Sequence, residues 1–449
     1  MLIRGGTVWT EDGSRRVDVR VEAERIADIG ELTPQPGEDV LDATALHVLP
    51  GMIDAHVHVD DHIGRFELAD TWSTASEIAV RNGITTLVGF VTQQSAETLT
   101  SAVERCLARA RGRSRCDFTF HLTPTGWPWD WREVEALAAR GLTTFKLYTT
   151  YREVGLFSSY DRIAEVMAHL ASLGARLLVH CEDDATLAAI DSAGVILTDP
   201  VSHTRLRPEE AEVEAIRRVI ALAARTGCLT HVVHVSSAEG AEAIAAARTR
   251  GVAITSETAP HYLLLDDGSL RGPEGHRWLC TPPLRSPATR ARMEALAGDG
   301  AFDLFATDHC AFCKADKDDW HGDFRRAAFG IAGIGALAPL LFELLATRHR
   351  LLLAELVRRL SANPARFLGA YPRKGVIGVG ADADLVVLDP HGPVRPVRSS
   401  LADSYETYPG ATSTLDVRHV LVRGRAVVRD GELVSARDFG GCLMASQPS

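Results

Sequence analysis

The sequence predicts an α/β protein, a (β/α)8 TIM-type barrel with a small β-sandwich formed by the N- and C-terminal segments. Three observations point there. Eight short apolar runs recur between residues 51 and 369, each followed by a helical pattern. The segments on either side of that region read as strands only. The length, 449 residues, suits a large domain accompanied by a smaller one.

Residues 1–50 form the first half of the expected sandwich. Val17-Asp18-Val19-Arg20-Val21 alternates apolar and polar with period two, Asp12-Gly13 is a hairpin turn signal before it, and Ala23-Glu24-Arg25 turns the chain into Ile26–Ile29. Residues 370–435 supply the second half, through Ala383–Leu388, Val417–Val422 and Arg425–Val428. Neither half has enough strands to bury a core alone. The barrel runs, within 51–369, are Ile53–His58, Ile84–Phe90, Phe118–Leu122, Thr143–Tyr148, Arg176–Cys181, Thr230–Val235, Val252–Glu257 and Phe302–Asp308. Among the helices, Pro208–Ala224 is clearly signalled. Pro208 suits the first turn, Glu209, Glu210 and Glu212 suit the positive helix end, and Val213, Ile216 and Ile220 form an apolar stripe. Residues 436–449 read as a C-terminal tail. A doubly wound open sheet is the alternative, but no glycine-rich phosphate turn follows a strand.

Composition narrows the class. The chain is 46% hydrophobic and 24% charged, as in ordinary globular proteins, and its net charge of −11 argues against a nucleic-acid partner. No apolar stretch is long enough for a membrane-spanning helix, and Met1–Gly6 does not open a signal peptide. Eight scattered cysteines are no disulfide framework. The expectation is a cytoplasmic protein without a membrane partner.

A barrel of this kind does its chemistry at the carboxyl ends of its strands. His56 and His58 end the first run on one face, since alternate strand residues point the same way. Lys146 lies on the fourth, His180 on the fifth, His234 on the sixth, and Asp308 ends the eighth. Singly, each is more often a hydrogen-bonded core or loop residue. Together on one rim they predict a two-metal centre. An ammonium cannot ligate a cation, but Lys146 sits among apolar residues that favour the neutral amine. Such an amine can add carbon dioxide to give an anionic carbamate able to bridge two ions. The plainer reading is a lysine in a salt bridge with Asp308.

At these residues the sequence resembles the cyclic amidohydrolases: dihydropyrimidinases, hydantoinases, allantoinases and dihydroorotases. The resemblance runs nearly end to end. It rests on Leu2–Val8, Leu49-Pro50-Gly51-Met52-Ile53-Asp54 leading to His56 and His58, and Phe145-Lys146. It continues through Val179–Glu182, Val233–Ser237, Glu257–Leu263, Ala306–Cys310, Asn363-Pro364-Ala365 and Gly378–Leu385. It implies that His56, His58 and Asp308 hold one divalent ion, that His180 and His234 hold the second, and that Lys146, as N6-carboxylysine, bridges both. Zinc is the expected metal. It implies a hydrolase in which a metal-bridging hydroxide opens a cyclic amide or imide, with Asp308 shuttling the proton to the leaving nitrogen. It also implies that Tyr151 donates to the oxyanion, that Thr281 binds the imide edge, and that the chain is a homodimer or homotetramer. The plainer reading of Tyr151 is a loop tyrosine packed on the rim.

Two departures bear on the substrate. Asp60 stands where dihydroorotases of this branch carry an arginine for the substrate carboxylate, which disfavours an anionic ring; Arg65 nearby could replace that charge. Phe329, in Phe329-Gly330-Ile331-Ala332-Gly333, matches neither the dihydropyrimidinase nor the allantoinase pattern, yet stays at the expected substrate-binding position. The expectation is therefore a dihydropyrimidinase- or hydantoinase-like enzyme, with allantoinase or dihydroorotase as alternatives. A non-catalytic homologue acting as an assembly module is disfavoured because all six ligand positions are filled. Trp127, Trp129 and Trp131 read equally as a wall for a hydrophobic substituent or as packing. Cys310 and Cys313 form a Cys-x-x-Cys without the second pair that a closed zinc site needs.

Overall fold

The computed structural model describes residues 1–193, 195–435 and 439–444. Eight parallel strands pair in chain order: Met52–Asp54, Ile84–Thr92, Asp117–Thr123, Thr144–Tyr148, Arg176–His180, Leu229–Val232, Ile254–Thr258 and Leu304–Phe305. Each expected run overlaps one of them. Their near-continuous burial, complete for Asp117–Thr123, is what a sheet covered on both faces requires. The helix after the fifth strand spans Glu209–Thr226, begins directly after Pro208, and ends where Gly227 adopts φ 70°.

The first strand breaks after Asp54 and resumes at Val57–His58, which pairs in parallel with His309–Cys310. The ladder between the first and last strands is thus made at their carboxyl ends, where the site lies. Asp54 reinforces the junction: its carboxylate accepts the Thr307 hydroxyl at 2.6 Å and the Thr307 amide at 3.0 Å. Gly51 admits the second strand closely, since a Cβ there would stand 2.1 Å from Thr85 Oγ1.

The terminal segments form two sheets. One runs Arg25–Gly30, Asp18–Glu22, Leu2–Arg4, Val40–Asp42; the other runs from Glu432–Leu433 through Arg425–Arg429, Asp416–Val422, Leu385–Asp389, His47–Pro50 and Thr7–Thr10 to Gly13–Arg16. Ile3, Val19, Val21, Leu385, Val387 and Leu421 fill the space they share. The turn at residues 11–12 joins Thr7–Thr10 to an additional short strand, Gly13–Arg16, that the alternation pattern missed because three of its four residues are exposed. Most of residues 439–444 also differ from a free tail. Phe118 donates to the Gly441 carbonyl at 3.0 Å and Leu443 donates to that of Phe118 at 2.8 Å. A Cβ at Gly440 would lie 1.9 Å from the Cys116 carbonyl oxygen, so only glycine allows this approach. The remaining tail positions, 436–438 and 445–449, lie outside the described residues.

Candidate metal centre and active site

Closure of the barrel brings the side chains of strands one and eight together. His56 Nε2 lies 3.1 Å and His58 Nε2 3.6 Å from Asp308 Oδ1, and one ligand atom from each of the three lies within 4.8 Å of the others. Across the rim, His180 Nδ1 faces His234 Nε2 at 3.0 Å. Asp308 and His234 adopt φ 49° and φ 38°, a left-handed conformation that side chains rarely adopt and that is held where function demands it.

Lys146 lies between these groups, 1% exposed. Its Nζ stands 5.1 Å from the Phe90 ring centre and 5.3 Å from that of Tyr148, and makes no ion pair or hydrogen bond with the described residues. The salt bridge to Asp308 is absent. Burial pushes the amine down to about 8, against the opposing charges of Asp308 and Glu257. Burial likewise lowers His56, His180 and His234, so these imidazoles are neutral near pH 7, the form that ligates metals.

Two buried glutamates orient the histidines. Glu257 Oε1 meets His56 Nδ1 at 2.5 Å while Oε2 meets His231 Nε2 at 3.2 Å; Glu182 Oε2 meets His180 Nε2 at 2.7 Å. Each pairing leaves the other ring nitrogen turned inward, the arrangement found behind metal-ligating histidines. His56 Nε2 is buried without a hydrogen-bond partner. Inward imidazole nitrogens, an acid and an unpaired buried amine fit divalent cations and would be costly as isolated polar groups. The spacing His180-Cys181-Glu182 carried the signal for one glutamate, because alternate residues share a face. The other ends the seventh run.

A cavity of about 1190 Å³ opens over these groups and includes Tyr151, Thr281 and Phe329 in its lining. Thr281 Oγ1 lies 3.3 Å from His203 Nε2, and the Phe329 ring centre lies 4.8 Å from that of His203. Tyr151, at φ 67° and ψ 44°, sets its ring centre 5.0 Å from His180. The expected place of Asp60 needs correction, because it does not line the cavity. Its backbone, at φ 52°, is held by the amide donating to Asp70 O at 2.8 Å, and its carboxylate faces the helix start at Trp72 with Arg109 and Arg113 nearby. Asp61 takes the lining position. Arg65 reaches the mouth but is held by Asp319 Oδ2 at 2.9 Å.

The tryptophan loop reaches the cavity through Thr125 and Gly126, while its tryptophans pack outside it. Trp129 is buried 6.1 Å from the Phe145 ring, and Trp131 stacks on His169 with ring centres 4.0 Å apart. Cys310 is buried at the cavity, whereas Cys313 Sγ donates to Asp316 Oδ2 at 3.0 Å. A second acidic cluster, Asp117, Asp382 and Asp384, lies away from this cavity and surrounds the Lys374 ammonium, which supplies the countercharge a metal would otherwise provide.

A barrel with four histidines, a carboxylate and a buried lysine gathered at the carboxyl ends of its strands defines a metal-dependent hydrolase. The family model described as "Amidohydrolase family" matches residues 47–427. The D-hydantoinase of Geobacillus stearothermophilus is 33% identical, covering 99% of this chain and 98% of its own. The crystal structure of a dihydropyrimidinase from Brevibacillus agri superposes with a TM-score of 0.94 at 31% identity, covering 100% of this chain and 99% of the other. An L-hydantoinase (dihydropyrimidinase) from Arthrobacter aurescens gives a TM-score of 0.87 at 27% identity, covering 99% of each chain. The chain belongs to the amidohydrolase family, in its dihydropyrimidinase and hydantoinase branch.

Proposed function

We propose that this enzyme hydrolyses the ring amide of a cyclic amide or imide, with 5-substituted hydantoins or dihydropyrimidines as its substrate class. The observation that carries the reading is Lys146, a buried amine without a carboxylate partner set among His56, His58, His180, His234 and Asp308. In this reading His56, His58 and Asp308 would hold one ion, His180 and His234 the other, and Lys146, as its carbamate, would supply a further anionic ligand. Two such ions, zinc being the best suited, supply an activated water and polarise the scissile carbonyl. Asp308, opposite His56 and His58, accepts the proton of the attacking water and returns it to the leaving nitrogen. Tyr151 donates to the oxygen that gains negative charge, and Thr281 with the main chain beside Phe329 orients the imide edge. On the resemblance alone, the chain works in the cytoplasm as a homodimer or homotetramer.

The cavity mouth supports an apolar ring substituent, because Ile63 and Val154 are 38% and 61% exposed there beside Leu156 and Leu206. Dihydroorotate lacks a free anchor in Arg65, which Asp319 and the carbonyls of Asp319 and Arg326 engage. A hydrolysis panel of dihydrouracil, 5-substituted hydantoins, allantoin and dihydroorotate is expected to show turnover of the first two classes. Turnover of dihydroorotate alone would overturn the substrate assignment. Glu257→Gln, which weakens the hold on His56, is expected to lower metal affinity by about 10–100-fold in a chelator competition. Unchanged affinity would remove Glu257 from the support of the centre.

A further inference from the structure

We propose that Arg207 is a positioning residue: clamped by Glu182, its guanidinium fixes the ring of Tyr151 and so sets the phenol. The inference rests on the reading of Tyr151 as the oxyanion donor. Arg207 ends the short helix Ser202–Leu206, immediately before Pro208. Its Nε donates to both Glu182 oxygens, at 3.1 and 3.2 Å, while its Cζ lies 4.9 Å from the Tyr151 ring centre. The same Glu182 also bonds His180 Nε2, a second hold on the carboxylate that does not depend on Arg207.

The anchors behind this pair are themselves fixed. Arg285 Nη1 donates to the Arg207 carbonyl at 2.6 Å, and Arg285 is held in turn by Ser236 and Glu212. The Glu182 amide donates to Thr149 Oγ1 at 2.8 Å, two residues before Tyr151. Tyr151 sits in a left-handed backbone conformation that its surroundings must hold. A guanidinium against an aromatic face is attracted to the ring quadrupole. Arg207 therefore holds the donor in place. A lysine keeps the charge but lacks the flat fork that grips Glu182 while stacking on the ring.

The test is a double-mutant cycle on the full-length, metal-loaded enzyme, with kcat, KM, bound metal and thermal midpoint read for each variant. Arg207→Met is expected to lower kcat roughly tenfold or more, with KM within about twofold and metal content unchanged. On a Tyr151→Phe background the same substitution should cost less than about twofold, because the group it positions is gone. Arg207→Lys should recover part of the loss. Equal losses on both backgrounds would overturn the proposal and leave the role of Tyr151 intact. A loss that tracks missing metal or a lowered thermal midpoint would make Arg207 structural only. If Tyr151→Phe alone leaves kcat unchanged, both readings fall.

Discussion

Replacing Lys146 with alanine is expected to lower kcat by more than about 10³-fold and to leave fewer than two ions per chain. Lys146 is 1% exposed and makes no ion pair or hydrogen bond with the described residues, so alanine removes no structural salt bridge; it removes the buried amine among the histidines that carbon dioxide could modify. Intact mass of the native protein should show one added carbon dioxide, absent from Lys146→Ala. Small carboxylates should restore part of the activity by occupying the vacated place between the ions. Full activity with unchanged metal content in Lys146→Ala would end the bridging-carbamate reading. Metal analysis also separates an enzyme from an assembly module, because only the former needs the ions for its measured property.

Lys374→Met should be strongly destabilising, by about 3–5 kcal/mol, while leaving the active-site groups in place. The Lys374 side chain is 1% exposed; Nζ meets Asp117 Oδ2 at 2.7 Å and Asp382 Oδ2 at 3.1 Å, and also bonds Asp384. Methionine matches much of the volume but removes the shared cation: Asp117 keeps Arg423 at 3.1 Å and Asp382 keeps Arg25 at 2.7 Å, while Asp384 is left without an ion-pair partner among the described residues. Burial alone would lower the lysine, yet Asp384, Asp117 and Asp382 hold it above its usual 10.5. This stabilisation is therefore complete at neutral pH and is lost only as pH rises beyond the ordinary lysine range. Thermal or urea denaturation checks the size. An unchanged midpoint would show that the carboxylates find other partners.

Periodicity and strand-end chemistry made the barrel legible before any contact was known. Each of the eight runs overlaps a strand, because a parallel sheet covered by helices must be apolar on both faces. The ligand set was legible for a related reason: polar residues at the ends of apolar runs stand out. The short strand Gly13–Arg16 was hidden because it is polar and exposed, leaving no alternation to detect. Asp60 was misplaced because spacing counts residues but not dihedral angles. A left-handed residue after His58 turns that carboxylate toward Trp72 instead of the cavity.

By itself, the sequence determined a (β/α)8 barrel and the six polar residues that gather in the cavity at its rim, since both follow from local pattern and chain order. Only the tertiary structure decided which groups support them. Glu182 meets Arg207 across 25 residues, Glu257 meets His56 across 201, and Lys374 meets Asp117 across 257. Such pairs leave no local signature, because a buried charge is stabilised by whichever partner the fold brings near, however distant in the chain.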